Sequence, residues 1–260
     1  MDLVLIGVVS LFTAGLTLFS GFGLGTILMP VFALFFPVPV AIAATAVVHL
    51  ANNLFKFGLM ARDADWRVVL RFGLPAAAAA LLGASLLTRI DAMPVLFGYQ
   101  LGARQFEVTP VKALIGVLIA VFAMLELSSR FQALAFPPRL LSLGGAVSGF
   151  FGGLSGNQGA LRSAFLLKAG LSKDAFVATG VVAAVIVDAV RLFVYGAGVL
   201  GEHVARSAGI VGPVAVATVC AFAGSYLGKR VLRKVTLRAV QLIVASAMLL
   251  IGVALALGLV

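Results

Sequence analysis

The feature that most constrains this chain is a run from Leu3 to Phe55 that contains no Asp, Glu, Lys or Arg. A membrane span needs about 20 mostly apolar residues, so this run is too long for one span. Hydrophobic residues make up 62% of the chain and charged residues 11%, whereas soluble domains are roughly half apolar and a quarter charged. The sequence therefore predicts an all-α polytopic membrane protein with about eight apolar segments.

Glycines and prolines divide the first run into three helical pieces. Three glycines alternate with other residues between Ser20 and Gly25, which weakens a helix and permits close backbone approach. Pro37 and Pro39 cannot continue a preceding helix but suit the first turn of a new one. We therefore expect helices over about residues 3–19, 26–36 and 39–58. Further spans are expected from the apolar runs at 72–88, 113–125, 140–161, 175–198, 207–228 and 239–260.

The second half of the chain repeats the first. Residues 155–182 can be laid over residues 21–48 without a gap, so that Gly25 aligns with Gly159 and Thr45 with Thr179. Each copy reads as a helix, a glycine-rich break, a short helix, a turn and a long helix, and such repeats build many secondary transporters. We predict two transmembrane repeats, residues 1–128 and 129–260, that together form one transport domain.

The basic residues indicate how the repeats are oriented. If each broken element is a re-entrant hairpin, thirteen Lys and Arg residues lie on one side, in 56–71, 126–139, 168–173 and 229–238. The other side keeps only Arg89, Arg104, Lys112 and Arg206, and cytoplasmic loops are the basic ones. Each half then has one hairpin and three spans, so the repeats are inverted. The net charge of +10 is explained by this orientation and not by nucleic-acid binding.

The two glycine-rich breaks predict a binding site. Irregular backbone at membrane depth is tolerated only where protein buries it or water reaches it. Each break precedes a short helix, whose N-terminal N–H groups and dipole attract an anion. Two such N-termini near the midplane would hold a small anion, with Gly23, Gly25 and Gly159 against it. The alternative is that these glycines only permit close helix packing.

Polar side chains recur on one face of the third helical piece, at Thr45, His49, Asn52, Asn53 and Lys56. Their three- and four-residue spacing places them together. His49 is either a proton-exchanging residue that couples transport to a gradient or a structural histidine bonded to another helix. Asn52 is expected to donate to the substrate and Asn53 to bridge helices. Lys56 is expected to extend to the headgroups from the helix end.

In the second copy the break itself carries side-chain donors, at Ser155, Asn157 and Gln158, and Arg162 follows one turn later. The Arg162 guanidinium matches carboxylate or sulfonate oxygens in pairs, so these four residues are candidate substrate contacts. Arg162 could instead lie at the cytoplasmic mouth.

Asp188 and Arg191 are three residues apart on one helical face, which predicts a structural ion pair or a role in proton coupling or gating. Enzyme chemistry, metal sites and cofactors have no support in the chain. His49 and His203 lie far apart, no nucleotide-binding loop is present, and Cys220 is the only cysteine.

At the repeated segments the chain resembles the sulfite exporter TauE/SafE family of bacterial membrane permeases. The resemblance is carried by GFGLGTILMPVFALFFPVPVAIAATAVVHLANNLFKF with the following RDADWR, and by GAVSGFFGGLSGNQGALRSAFLLKAGLSKDAFVATG. It implies gradient-driven export of small sulfur-containing anions, such as sulfite or organosulfonates including sulfoacetate, across the bacterial inner membrane. The second copy departs from a proline-terminated pattern, with Ala164 where the first has Pro30.

We expect an alternating-access transporter whose partners are a small anion and the lipid bilayer, without nucleic acid or cofactor. The oligomeric state is left open, a homodimer included. Two alternatives from other classes are a gated anion channel and a membrane scaffold subunit that transports nothing.

Overall fold

The computed structural model describes residues 2–20, 24–197, 209–231 and 237–260. Within these ranges the α-helices are α1 (Asp2–Ser20), α2 (Leu24–Ala33), α3 (Val38–Met60), α4 (Trp66–Asp91), α5 (Pro110–Leu127), α6 (Ser129–Gln132), α7 (Leu141–Ser155), α8 (Gly159–Leu166), α9 (Lys173–Ala197), α10 (Val211–Val231) and α11 (Leu237–Ala256). Short 3-10 helices cover Ala61–Asp63 and Pro138–Leu140.

The predicted membrane character is borne out by helix length and composition. Among the described residues, four helical segments are long and apolar enough to cross a bilayer: Val38–Asp63, Trp66–Asp91, Pro110–Leu127 and Lys173–Gly196. The helices α10 and α11 have 21 and 20 residues. The chain is therefore an α-helical, multi-pass membrane protein.

The boundaries of α2 and α3 lie within three residues of those expected. Pro37 is the N-cap residue of α3, and a proline stands in its first turn, as the sequence indicated. The helix α2 ends at Ala33 and not at 36. A proline disfavours helical backbone in the residue before it, and the last residues turn tightly, with Phe35 N donating to Phe32 O at 3.0 Å.

The all-α expectation omitted one element, a β-hairpin between α4 and α5. Strands β1 (Phe97–Leu101) and β2 (Arg104–Val108) pair antiparallel, with Phe97 opposite Val108. Gly102 turns the chain with a φ of +64°, a conformation that glycine adopts without strain. Alternating aromatic residues around a glycine turn were the signal that could have identified this hairpin.

The second glycine-rich break reverses the chain. The helix α7 ends at Gly156, whose φ of +83° is left-handed, as is common at helix C-termini. Ser148 Oγ then donates to Gln158 O at 3.0 Å, and Phe136 N donates to Ala164 O at 3.0 Å. The chain therefore returns along α8 to the end where α7 began, as a re-entrant hairpin does.

A stripe of glycines on α7 brings that helix against α4. A methyl group at any of three glycines would overlap a backbone carbonyl oxygen of α4, so the helices touch through their backbones. The glycines are Gly145, Gly149 and Gly153, and the carbonyls are those of Phe72, Ala76 and Ala80. For this part of the second glycine cluster, the close-packing interpretation is correct.

The helix α1 packs on α10 in the same way, because a methyl group at Gly224 would overlap Leu11 O. The other main helix pairs are α3 with α9, α5 with α11, α4 with α9, and α3 with α10. The core lies between α2 and α3 and the helices around them, where Leu24, Leu28 and Phe32 are buried.

The two ends of the helix bundle differ in charge. At one end the starts of α4, α7 and α9 meet, because Asp65 N donates to Thr179 Oγ1 at 3.0 Å and Ser142 Oγ to Arg71 O at 3.2 Å. We call this the basic end. At the other, the hairpin end, Tyr99 Oη donates to Leu257 O at 2.7 Å. The basic end carries Arg62, Arg67, Arg71, Arg130, Arg139, Lys168 and Lys173, and the hairpin end carries Arg89, Arg104 and Lys112.

The close contact of α7 with α4 predicts a large loss of stability for Gly149→Ala. The added methyl group must displace the α4 backbone, and such overpacking costs typically about 1–3 kcal/mol. Gly58→Ala in α3 is the control, because nothing lies within 4 Å of its Cβ position, and we expect it to be neutral or slightly stabilising. Thermal unfolding in detergent measures both; equal melting temperatures for the two variants would contradict the packing described.

Candidate functional site

One cavity of about 50 Å³ lies where the start of α2 and the second break meet the long helices α3 and α9. That is more than the volume that one buried water requires, about 10–15 Å³, so the cavity can admit a small polyatomic ion. Its walls come from both halves of the chain. The polar side chains and break residues that line it are Gly25, Thr26, His49, Asn52, Asn53, Lys56, Gly156, Gln158, Gly159, Arg162 and Ser163.

The first turns of the two short helices lie at the same cavity. A methyl group on Gly25 would lie 3.4 Å from Gly156 O, so the start of α2 touches the break that precedes α8. Thr26 of α2 and Gly159 of α8 both line the cavity. The first N–H groups of a helix have no partner within the helix, so the starts of α2 and α8 each bring such donors to the wall of this cavity. Gly23 lies outside the described residues.

Two cationic side chains line the cavity from opposite halves of the chain. Lys56 of α3 is 4% exposed and Arg162 of α8 is 8% exposed, and the described lining contains no Asp or Glu. The expectation that Lys56 reaches the headgroups is wrong, because Lys56 lies on the face of α3 that carries His49, Asn52 and Asn53, and that face lines the cavity. Arg162 is likewise part of the buried wall. The site is therefore suited to negative charge.

Asn52 and Asn53 both line the cavity, and both bridge to neighbouring side chains. The Asn52 side-chain amide is oriented so that both its nitrogen and its oxygen have hydrogen-bond partners. The nitrogen donates to Ser225 Oγ at 2.8 Å, and the oxygen accepts from Lys56 Nζ at 3.2 Å. Asn53 Nδ2 donates to Asp188 Oδ2 at 3.4 Å. Asn52 therefore ties α3 to α10 and orients Lys56, a bridging role that sequence reasoning had assigned to Asn53 alone.

Behind the cavity lies a buried ion cluster around Asp188, which is 0% exposed. Arg191 NH2 lies 2.8 Å from Asp188 Oδ1, which confirms the predicted ion pair. His49 Nδ1 lies 2.6 Å from Oδ2, and Gln158 Nε2 donates to Oδ1 at 3.4 Å. A buried carboxylate is tolerated only when it is paired and hydrogen-bonded. These contacts join α3, α9 and the second break.

His49 connects the cavity to this cluster. Its Nδ1 faces Asp188, whereas Cδ2 and Nε2 lie beside Gly25, 3.5 and 3.6 Å from the position that a Cβ there would take. The carboxylate orients the ring and favours a proton on Nδ1, which leaves Nε2 on the cavity side. His49 is thus bonded to another helix and also lines the cavity.

Three predicted site residues lie outside the cavity wall. Thr45 is buried within α3. Ser155 Oγ donates to Phe151 O at 3.1 Å, and Asn157 Nδ2 donates to Ser155 Oγ at 3.2 Å. These two side chains stabilise the end of α7, whereas Gln158 and Arg162 of the same segment face the cavity.

Sequence reasoning missed several lining residues. Thr26 directly follows the first break, and this position near a helix start could have identified it as a lining residue. Ser163, Phe176 and Gly180 also line the cavity, and only the fold brings them there. Among the described residues, no group of three His, Cys, Asp or Glu side chains could hold a metal ion.

A family model described as Sulfite exporter TauE/SafE matches residues 3–255 of this chain. The chain belongs to the sulfite exporter TauE/SafE family. The match covers both breaks, both cationic residues of the cavity and the Asp188 cluster. No curated protein and no solved structure gives a significant match. TauE/SafE proteins are membrane transporters, so the cavity lies in a protein of the anion-exporter class.

Removing the Asp188 charge is expected to destabilise this TauE/SafE protein strongly. Asp188→Asn leaves Arg191 without its carboxylate, and breaking a buried ion pair costs about 3–5 kcal/mol. The double variant Asp188→Asn/Arg191→Met should recover part of the loss, because it removes both charges. Asp174→Asn, an exposed residue in the first turn of α9, is the control. Thermal unfolding in detergent measures the melting temperatures of all three variants. Equal melting temperatures for the Asp188→Asn and Asp174→Asn variants would contradict a stabilising cluster.

Proposed function

We propose that this chain is a secondary transporter that exports small sulfur oxyanions, such as sulfite or organosulfonates resembling sulfoacetate, by alternating access. One observation carries the proposal: two half-helix N-termini and two buried cations, Lys56 and Arg162, share a single cavity. Family membership supports the same class of substrate.

The donors suit a pyramidal or tetrahedral sulfur oxyanion. The planar Arg162 guanidinium can bind two oxygens at once, whereas Lys56 supplies a compact charge from the opposite wall. Gln158 and the N–H groups at the starts of α2 and α8 add neutral donors. Backbone donors of this kind need little reorganisation, because a helix holds its first N–H groups in fixed positions.

The pairing of helices supports two inverted repeats. In the proposed repeat α1 corresponds to α7, and α4 corresponds to α10. The helix α1 packs on α10, just as α7 packs on α4. Phe55 stacks on Phe222 and Ala43 shares a groove with Val214, so α10 runs alongside α3 toward the basic end, opposite to α4. Two halves that run in opposite directions can rock around a site at their interface.

Charge and cavity position support an inward-facing state. The positive-inside rule assigns the basic end to the cytoplasm, in keeping with a bacterial inner membrane. The cavity is lined by the last turns of α3 and the first turns of α9, where Phe176 and Gly180 lie. Export of an anion then follows the inside-negative potential, which contributes about 2.3 kcal/mol per charge per 100 mV.

Coupling to protons would involve His49. Its ring lies between the cavity and Asp188, and Arg191, Arg162 and Lys56 are the other charged groups around it. A proton on His49 adds positive charge beside the bound anion, so proton and anion should bind cooperatively and cross together. For a divalent anion, the negative charge that remains would still leave the cell down the membrane potential. Asp188 would hold the protonated ring in place, and Arg191 would keep the carboxylate charged.

Flux measurements separate this proposal from the channel and scaffold alternatives. Proteoliposomes loaded with buffer would be given radiolabelled sulfite or sulfoacetate under an imposed proton gradient or membrane potential. A transporter accumulates the label above its external concentration when a proton gradient is imposed at zero potential. A channel only equilibrates the label with the potential, and a scaffold gives no uptake.

Neutralising either cavity cation should weaken anion binding without unfolding the protein. A charge-assisted hydrogen bond contributes about 1.5–3 kcal/mol, so Lys56→Gln and Arg162→Gln should each raise the Kd for sulfoacetate roughly tenfold to hundredfold. Lys168→Gln is the matched control, because Lys168 is exposed and outside the cavity. Isothermal titration in detergent gives the Kd, and unchanged affinity in both cavity variants would refute the anion site.

The His49 hypothesis makes a separate prediction about pH. Wild-type affinity for sulfoacetate should rise as pH falls from 7 to 5, because His49 gains a proton beside the anion. His49→Gln should bind the anion with an affinity that varies little over that interval. If the variant keeps the full pH dependence while binding normally, another group provides the proton link.

A further inference from the structure

The β-hairpin between α4 and α5 has two chemically different faces. Alternate residues of a strand point to opposite faces, and the register pairs Tyr99 with Phe106. One face consists of Phe97, Tyr99, Leu101, Arg104, Phe106 and Val108. The other consists of Gly98, Gln100, Gln105 and Glu107. The hairpin is therefore amphipathic, with an aromatic face that includes one arginine.

The aromatic face points toward the end of the helix bundle. Tyr99 Oη donates to Leu257 O at 2.7 Å, and Val108 is buried beside Gly258. The Tyr99 and Phe106 rings stack with their centroids 5.5 Å apart. The polar face, with Gln100 and Gln105 exposed, points away from the helices. The hairpin thus covers the end of α11 with its apolar side.

Part of the aromatic face extends beyond the helices. Phe97 is 58% exposed and Leu101 is 66% exposed. The exposed apolar residues Met93, Val95 and Leu96 precede the hairpin. Val253 in α11 and Leu257 just after it are further exposed apolar residues toward the hairpin end. A cluster of exposed apolar residues marks an interaction site.

We propose that the hairpin lies flat in the headgroup region of the leaflet at the hairpin end, with Phe97 and Leu101 inserted among the lipid chains. Aromatic residues are enriched at this depth, and amphipathic elements bury their apolar face there. Arg104 stands opposite Leu101, and Arg89 and Lys112 flank the hairpin in the last turn of α4 and the first turn of α5. These cations lie at the level of the lipid phosphates.

Lipid fits this patch better than a second copy of the chain. The mixture of apolar tips and flanking cations matches the chemistry of a phospholipid surface. The hairpin would anchor the α4–α5 connection while the site at the centre of the bundle opens and closes. This inference does not depend on the substrate.

Single-tryptophan fluorescence tests the proposal. Trp66 is the only tryptophan, so Trp66→Phe provides a background free of this fluorophore. Into it are placed Phe97→Trp or Leu101→Trp on the aromatic face, and Gln100→Trp on the polar face as the matched control. Each protein is reconstituted in phosphatidylcholine liposomes, and its elution in size-exclusion chromatography before reconstitution checks the fold. Quenching is measured with lipids brominated at shallow chain positions and with iodide on both sides.

Phe97→Trp and Leu101→Trp should be quenched severalfold more by brominated lipid than Gln100→Trp, and less by iodide. Iodide quenching equal to that of Gln100→Trp would show that the face is in water and would overturn the proposal. Shielding from both quenchers would show a protein contact, and would overturn it in favour of a second copy. The fluorescence measurement does not require transport activity. A failure of the lipid-contact proposal can therefore be distinguished from a failure of the proposed function.

Discussion

The structure depends on the burial of one carboxylate, that of Asp188, inside a bundle with little other negative charge. Taking such a group out of water costs several kcal/mol unless partners compensate it. Arg191, His49 and Gln158 supply that compensation from α9, α3 and the second break. The cluster therefore requires these three elements to be adjacent, and this adjacency forms one wall of the cavity. Tyr195, which donates to Gly153 O, extends the same contact along α9.

Glycine has two separate uses in this protein. Along α7 it allows backbone contact with α4, which fixes the second hairpin against a long helix. At Gly156 the left-handed conformation ends α7 and reverses the chain. The first use is structural and the second leads directly to the site, because the helix that follows presents its N-terminus to the cavity. A single glycine-rich segment thus contains glycines that pack the hairpin against α4 and a glycine that ends α7 so that the N-terminus of α8 lies at the cavity.

Much of the site could be predicted from residue pattern. The breaks, the short helices after them and the face that carries His49, Asn52 and Asn53 follow from glycine, proline and three- to four-residue spacing. The roles of individual side chains could not be assigned in this way. Lys56 lies near the end of a hydrophobic run, so its sequence position indicates the headgroups, whereas the packing of α3 turns the face that carries it toward the cavity. Ser155 and Asn157 were expected to contact the substrate, whereas their side chains form hydrogen bonds at the end of α7 and lie outside the cavity wall.

The sequence by itself determined that this chain is an α-helical membrane protein with two interrupted segments, because apolar length and helix-breaking residues are local properties. The tertiary structure decided which polar residues share a cavity. Lys56 and Arg162 lie far apart in the chain and belong to different halves, and the residues at their aligned positions are the apolar Val190 and Leu28. The two halves align in sequence, but the charge in the cavity comes from positions that do not repeat. A local sequence pattern cannot predict that Lys56 and Arg162 share a cavity, because they become neighbours only when the two halves pack together.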